Sequence, residues 1–282
     1  MEAAVFPMMD LFGNASDSDG DGGGGAHANG EESGATQNQQ YVENEHQFPG
    51  VSLIIREFDF HPVNANLVWP GTASFAEWLV ENRTLVEGKK VLEIGSGTGI
   101  LAIFLAKALR CRVTTSDYDD AEIEENIAYN FRRNGLDPPP HLRHTWGTPL
   151  EANSHTWDVL VASDILLYVK QYENLIDTLK YLLTNGAREE GAASVLNGRQ
   201  LTASGESSDI VPNDQPQISG KENVAEEADP KRLARPYFLM SWRRRIPKAD
   251  EAKFFEGCRT AGLFVTDVGP RIYCITAQCW QR

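Results

Sequence analysis

The chain has 282 residues, and its 26 basic against 40 acidic residues give a formal net charge of −14. The acidic excess is concentrated in residues 1–46, which contribute −9, and in residues 185–233, which contribute −4, so the remainder carries −1. A nucleic-acid-binding surface would need a basic stripe in the folded part, and we therefore expect no nucleic-acid partner.

The cysteines and the apolar segments exclude several other classes of protein. The four cysteines, Cys111, Cys258, Cys274 and Cys279, form no C-x-x-C pair, which excludes a zinc site and a dense disulfide framework. The N-terminus has no basic region ahead of an apolar run, and no stretch of about 18 apolar residues is present. We therefore expect a protein with reduced cysteines that binds no metal and contacts no membrane. We also expect it to be an intracellular monomer, in the cytoplasm with the nucleus as a second compartment.

Two segments have the composition of disordered chain. Residues 1–46 are rich in Gly, Ser, Asp, Asn and Gln, and they cannot bury enough apolar surface to offset the entropy of ordering. Residues from about 185 to 233 have a similar bias, and a structureless loop of that length inside a domain indicates a disordered insertion. We predict a disordered acidic tail over 1–46 and one domain over 47–282 that the insertion interrupts.

The first predicted elements are a strand and a helix. Residues 51–60 have the apolar and β-branched content of a strand. Pro70 and Gly71 then break the chain, and Thr72 or Ser74 is placed to cap the helix that follows. Trp69, just before this break, is interpreted either as core packing or as an aromatic wall over a cofactor.

The next stretch has the order strand, glycine-rich turn and buried helix. The strand holds one acid, Glu93, and Gly95, Gly97 and Gly99 follow it before the apolar helix 100–109. Glycines allow a ligand to approach the backbone, and the helix directs free N–H groups and its positive dipole end toward that ligand. This order predicts a nucleotide-type cofactor site, although the glycine spacing fits neither a dinucleotide fingerprint nor a phosphate loop.

Two later strands also end in polar residues. The strand 112–116 runs into Asp117, about 20 residues past the glycine turn, where a carboxylate commonly holds a ribose diol. The strand 158–163 ends at Ser163 and runs into Asp164. Asp164 is expected to lie in the crevice above the same glycines, and its alternative role is a helix N-cap. Trp146 is the last residue of a third predicted strand, 141–146, and is either an adenine-stacking residue or a rim aromatic.

The C-terminal part predicts a strand at 236–242, a helix at 249–261 and a strand pair at 263–268 and 271–277. Arg243, Arg244 and Arg245 follow the first of these strands. They predict a solvated strand end or, alternatively, contact with an acidic substrate surface. Strands that alternate with helices and finish in a hairpin indicate an α/β fold with a parallel sheet.

Several of these motifs together resemble a known family. The sequences LVWPGT, VLEIGSGTG, TTSDYDD, WG at 146 and 147, and SDILLY are similar to those of seven-strand S-adenosylmethionine methyltransferases. More narrowly, they resemble the intracellular protein-lysine methyltransferases called methyltransferase family 16, over about residues 48–184 and 234–282. The resemblance implies a methyltransferase domain over 47–282, with a Rossmann-like seven-strand sheet, helices on both faces and a C-terminal antiparallel hairpin.

The resemblance also implies roles for individual residues. Glu93, Gly95, Gly97 and Gly99 would line the methionine end of S-adenosylmethionine, Asp117 would hold the ribose, Trp69 and Trp146 would flank the cofactor, and Ser163 would complete the cofactor site. Asp164 is the first residue of the family's D-x-x-Y/F motif, but the fourth position holds Leu167 and the aromatic residue follows at Tyr168. Either Tyr168 substitutes for the displaced aromatic residue, or the substrate pocket differs.

The function implied by the resemblance is N-methylation of a lysine side chain in an intracellular protein. Asp164 and Tyr168 are the expected catalytic residues, with Asp164 accepting a hydrogen bond from the amine. An aromatic ring, from Tyr168 or Trp69, would stabilise the cation by about 0.5–2 kcal/mol. The alternatives are methylation of an arginine, a histidine or a small molecule, and a non-catalytic S-adenosylmethionine-binding interaction module.

Overall fold

The computed structural model describes residues 41–150, 157–197 and 235–277, with side chains described up to residue 184 in the second range. The strands are β1 (Tyr41–Phe48), β2 (Val51–Phe58), β3 (Lys90–Ile94), β4 (Arg112–Asp117), β5 (His141–Arg143), β6 (Val159–Ser163), β7 (Tyr237–Ser241), β8 (Phe264–Gly269) and β9 (Ile272–Thr276). The helices are α1 (Pro70–Glu81), α2 (Ile100–Leu109), α3 (Ala121–Arg133), α4 (Tyr172–Asn197) and α5 (Lys248–Thr260).

Seven of the strands form one mixed sheet in the order β5-β4-β3-β6-β7-β9-β8. The strands from β5 to β7 are parallel, whereas β9 is antiparallel to both β7 and β8. The chain runs from β3 outward through β4 and β5, and then returns to place β6 on the other side of β3. Ligands of open α/β sheets bind at such a reversal of strand order, above the carboxyl ends of the strands.

Helices cover both faces of this sheet, as predicted. On one face, α1, α2 and α3 pack against side chains such as Val91 and Val159. On the other face, α4 and α5 pack against Leu92 and Leu160, which directly follow Val91 and Val159 in sequence. Successive side chains of a strand point to opposite faces, so the continuous apolar runs of β3 and β6 supply both cores. The α/β fold, the seven-strand sheet and the C-terminal hairpin are therefore confirmed.

A separate hairpin of β1 and β2 is attached to the domain by three asparagines, two on α3 and one at its C-cap. Asn126, Asn130 and Asn134 are four residues apart, so their side chains lie along one face of the helix. Asn134 bonds both the N–H and the C=O of Ile54, and Asn130 does the same at Arg56. These amide groups occupy the edge of β2 that β1 leaves free, which satisfies backbone groups that would otherwise be unpaired.

The hairpin and α4 correct the two predicted disordered boundaries. Strand β1 begins at Tyr41, so residues 41–46 belong to the folded part and not to the predicted tail; residues 1–40 lie outside the described residues. Helix α4 continues to Asn197, so 185–197 is helical, whereas 198–233 of the predicted insertion lies outside the described residues.

Helix α1 corrects a third prediction, because it begins at Pro70 instead of after the Pro-Gly pair. Proline is well suited to the first position of a helix, since its missing N–H would have no partner there. None of the helices in the described ranges has the length and apolar character that a membrane span requires.

Candidate active site

A cavity opens at the carboxyl ends of β3, β4 and β6, and its empty space, including the solvent at its mouth, is about 970 Å³. Nine of the ten predicted site residues line it: Trp69, Glu93, Gly95, Gly97, Asp117, Trp146, Ser163, Asp164 and Tyr168. The structure therefore brings together residues from five separate parts of the chain, with Gly99 as the exception.

The glycine turn has the open side that a ligand needs. Gly95, Gly97 and Gly99 all have positive φ angles, of 68°, 52° and 79°. A Cβ atom added at Gly97 would meet nothing closer than Ala65, at 3.9 Å, so the space above this residue is free. At Gly99 an added Cβ would lie 3.2 Å from Ile127, so this glycine allows α2 to pack on α3. Gly99 thus has a packing role, in place of the predicted contact with the methionine end.

Asp117 fixes the glycine turn and keeps acceptor capacity for a ligand. Its Oδ2 accepts a hydrogen bond of 2.7 Å from the amide of Gly97, and its Oδ1 accepts one of 2.8 Å from the amide of Tyr118. Burial raises the pKa of Asp117, and the two amide hydrogen bonds act in the opposite direction. Because each carboxylate oxygen accepts about two hydrogen bonds, both retain a free position.

Glu93 is a buried acid at the base of the cavity. The residue is 2% exposed, and among the described residues its Oε2 has no hydrogen-bond partner. Burial raises the pKa of this carboxyl well above its usual range. A buried carboxyl oxygen without a partner is costly, and a polar or cationic ligand group in the cavity would remove that cost.

Asp164 is fully enclosed by protein donors. Its Oδ2 accepts hydrogen bonds from the amide of Gly71, at 2.7 Å, and from Nη2 of Arg245, at 3.1 Å. Its Oδ1 accepts one from the amide of Arg243, at 2.8 Å, and lies 2.9 Å from Nη1 of Arg245. The first three of these contacts are hydrogen bonds, the last is an ion-pair contact, and the Asp164 side chain is 0% exposed. A substrate amine would therefore have to displace one of these protein groups to make the predicted contact with Asp164.

The same contacts decide between the predicted alternatives for Asp164 and for the arginines. Asp164 does not cap the helix after it; its carboxylate instead accepts from the first turn of α1, which begins 94 residues earlier in sequence at Pro70. The prediction of a solvated strand end is wrong for Arg245, whose side chain is 23% exposed. Its guanidinium also lies 4.7 Å from the centre of the Trp69 ring.

Tyr168 reaches the cavity although it is displaced by one position. It directly precedes a short 3₁₀ turn, Val169–Gln171. Its hydroxyl accepts a hydrogen bond of 2.6 Å from Nδ2 of Asn64, in the loop that crosses the cavity from the other side. Burial raises the pKa of Tyr168, so the phenol is neutral and keeps its own proton available for donation.

Three residues of the site were missed by the sequence analysis. Asn64 bridges Tyr168 and Trp69, since its backbone oxygen accepts a bond of 3.1 Å from the Trp69 indole. Thr72 places its hydroxyl 2.9 Å from that of Ser163 in the wall of the cavity. Arg245 pairs with Asp164. Of these three residues, only Arg245 belongs to a recognisable pattern, the three adjacent arginines. The partners of Asn64 and Thr72 are remote in sequence, so no local pattern indicates them.

The comparison with protein families agrees with this geometry. The family model described as lysine methyltransferase matches residues 47–195. The chain belongs to this lysine methyltransferase family. The match includes β3, the glycine turn, Asp117 and Asp164, which are the elements that form the cavity.

Three relatives illustrate the range of proteins that the chain resembles. It is 29% identical over 153 residues to a protein N-terminal and lysine N-methyltransferase of Aspergillus fumigatus, covering 49% of this chain and 59% of the relative. It is 32% identical over 159 residues to EEF1A lysine methyltransferase 3 of Xenopus tropicalis, covering 54% and 68%. It is 30% identical over 127 residues to the electron transfer flavoprotein beta subunit lysine methyltransferase of Mus musculus, covering 43% and 47%.

The matches are partial for most of these relatives. The chain spans 59%, 50% and 49% of the length of three fungal relatives named as protein N-terminal and lysine N-methyltransferases. The acceptor and the partners of this chain are accordingly treated below as proposals.

Proposed function

We propose that the chain is an S-adenosylmethionine-dependent methyltransferase that N-methylates a lysine side chain of a protein. The observation that carries this proposal is the arrangement of Glu93, Gly97 and Asp117 around one cavity at the reversal point of the sheet. The carboxyl groups suit the two ends of a nucleoside that carries an amino acid, and the open glycine turn lies between them.

The residues of the cavity fit S-adenosylmethionine. Asp117 has a free acceptor position on each oxygen for the ribose hydroxyls, and the unpartnered Oε2 of Glu93 suits the amino group of the methionine part. Trp146 lies over Gly95, with its ring carbon 3.9 Å from the position of an added Cβ, and forms an aromatic wall. Bound there, the sulfonium of the cofactor would supply an activated methyl group.

The contribution of the protein is positioning and exclusion of water. Methyl transfer is an in-line displacement, and holding two reactants in line can supply about 7–11 kcal/mol of the barrier reduction. Trp69, Thr72, Ser163 and Leu167 line the part of the cavity next to Asp164 and form the walls for the incoming amine. Because the Asp164 side chain is 0% exposed and is already held by protein donors, the amine would arrive neutral after losing its proton to solvent.

A second acceptor is supported by the names of the relatives. The Aspergillus fumigatus relative is named for protein N-terminal as well as lysine methylation, so the α-amino group of a protein is the second candidate. An α-amine has a pKa of about 7.7–8.0 against about 10.4 for lysine, so it loses its proton more readily near pH 7. We also propose that the chain acts as a monomer, because the cavity is framed by residues of one chain.

The test uses the full chain, labelled S-adenosylmethionine and a lysate from cells that lack this protein. We expect labelled protein bands, and mass spectrometry of the modified peptides should place the methyl groups on lysine. Methyl groups on an N-terminal amine would select the second candidate. Cofactor binding by calorimetry without any labelled band would contradict both proposals and favour the non-catalytic binding module.

A further inference from the structure

We propose that Arg245 is a positioning residue that acts through Asp164 to hold the Trp69-Pro70-Gly71 turn in place as a wall of the acceptor site. The inference rests on the proposed function only where it predicts that methyl transfer depends on this wall. The contacts that carry it are independent of any ligand.

The first step is the attachment of helix α1 to Asp164. The Gly71 amide, at the second position of the helix, is one of the groups that the first turn leaves without an intrahelical partner. The Asp164 carboxylate accepts from it at 2.7 Å and places a negative charge at the positive end of the helix dipole. A second bond, from Oγ of Ser241 to the oxygen of Gly71, joins the same turn to the end of β7.

The second step is the neutralisation of Asp164 by Arg245. The guanidinium faces the carboxylate end-on: Nη2 donates a hydrogen bond of 3.1 Å to Oδ2, and Nη1 lies 2.9 Å from Oδ1 as an ion-pair contact. A planar guanidinium can make both contacts at once, which the single ammonium of a lysine does not reproduce. Without Arg245, a side chain that is 0% exposed would hold an uncompensated charge, which is strongly unfavourable.

The third step is the link from Arg245 to the cavity wall. The Arg245 guanidinium lies over the ring of Trp69 at 4.7 Å from its centre, a cation–π distance. Trp69 is the N-cap residue of α1 and lines the cavity. Arg245 therefore contacts both the carboxylate that anchors the start of α1 and the Trp69 ring that lines the cavity, so its removal should move the wall while the glycine turn stays intact.

The test combines hydrogen exchange with labelling in the full chain. Arg245→Gln and Asp164→Asn are compared with the control Arg244→Gln. Arg244 is the neighbour of Arg245 in sequence, but its side chain bonds Glu251 and not Asp164. We expect backbone amides 71–74 to exchange at least about tenfold faster in both site variants, and the control to be unchanged. Labelling of lysate proteins should fall about tenfold or more in both, while the Kd for S-adenosylmethionine changes less than about threefold.

Further variants separate positioning from direct contact with the substrate. Arg245→Lys should not restore labelling, because the pairing of two guanidinium nitrogens with the carboxylate is lost. The double variant Asp164→Asn, Arg245→Gln should label no worse than either single variant, since the two residues act as one unit. Unchanged exchange at 71–74 in Arg245→Gln, or a further tenfold loss of labelling in the double variant, would overturn the inference. Exchange is measured without substrate, so it tests the inference even if the wild-type protein labels nothing.

Discussion

The amide of Gly71 donates a hydrogen bond of 2.7 Å to Oδ2 of Asp164, across 93 residues of sequence. This bond joins the two motifs, LVWPGT and SDILLY, on which the narrower family resemblance rests. A Cβ atom built on Gly71 would lie 2.5 Å from the same oxygen, so the contact requires glycine for its close approach. One buried contact between a helix start and a carboxylate therefore joins the two motifs in the structure.

Substitution of Gly71 by alanine should destabilise the protein, although alanine is the better helix former. The added methyl group would overlap the Asp164 carboxylate, and overpacking of this kind costs about 1–3 kcal/mol. Urea unfolding followed by circular dichroism measures the change. Ser74→Ala, at an exposed position of the same helix, is the control and should stay within about 0.5 kcal/mol of wild type. A Gly71→Ala protein as stable as wild type would show that the contact is not tight.

The hydroxyl of Tyr168 should contribute to cofactor binding through the loop that it holds. Removing it in Tyr168→Phe breaks the 2.6 Å bond from Asn64, so the loop that carries Asn64 loses one tie across the cavity. A hydrogen bond of this kind contributes about 0.5–1.5 kcal/mol, which corresponds to about a two- to tenfold weaker Kd. Calorimetry with S-adenosylmethionine measures this, and Tyr181→Phe, at an exposed position of α4, should leave the Kd unchanged. Equal affinity in Tyr168→Phe and wild type would contradict this role.

The stability of the ligand-free protein should depend on pH through Glu93. Burial raises the folded-state pKa of this carboxyl, so its favourable contribution is complete below the unfolded pKa and is lost as pH rises through the folded pKa. Glu93→Gln cannot ionise. Relative to wild type, the free energy of unfolding of the variant should therefore increase as pH rises above the unfolded pKa of about 4.3, by about 1.4 kcal/mol for each pKa unit of the shift.

The matched control for this experiment is the exposed acid Glu77 on α1. Glu77→Gln should follow the wild-type pH dependence of the free energy of unfolding, because this side chain is solvated in both states. A difference between Glu93→Gln and wild type that stays constant with pH would mean that Glu93 is not desolvated in the folded protein.

The sequence predicted the fold and the cofactor end of the site because both depend on local patterns. The apolar strand, the glycine spacing and the acid at the end of the next strand are each visible within about 20 residues. The acceptor end depends on pairs that are distant in sequence, such as Asp164 with Arg245 and Tyr168 with Asn64. No spacing rule connects such pairs, so the role of Asp164 was predicted from resemblance and its partners were not predicted.

The predicted boundary at residue 46 was wrong for a related reason. The sequence 41–48 is polar and largely exposed, and its composition resembles that of the preceding tail. It is ordered because its backbone pairs with β2, whose other edge is satisfied by Asn130 and Asn134 from α3. Those partners lie about 80 residues further along the chain, and composition over a short window does not indicate them.

Asp117 offers the most direct test of the cofactor end. Asp117→Asn replaces one carboxylate oxygen by an NH₂ group, which cannot accept a bond from the Gly97 amide or from a ribose hydroxyl. Hydrogen bonds to charged groups contribute about 1.5–3 kcal/mol, so the Kd for S-adenosylmethionine should rise about 10- to 150-fold. Asp119→Asn, at an exposed position two residues away, is the matched control and should bind like wild type. If calorimetry gives the same Kd for Asp117→Asn and Asp119→Asn, the ribose is not held by Asp117, and the orientation proposed for the cofactor is wrong.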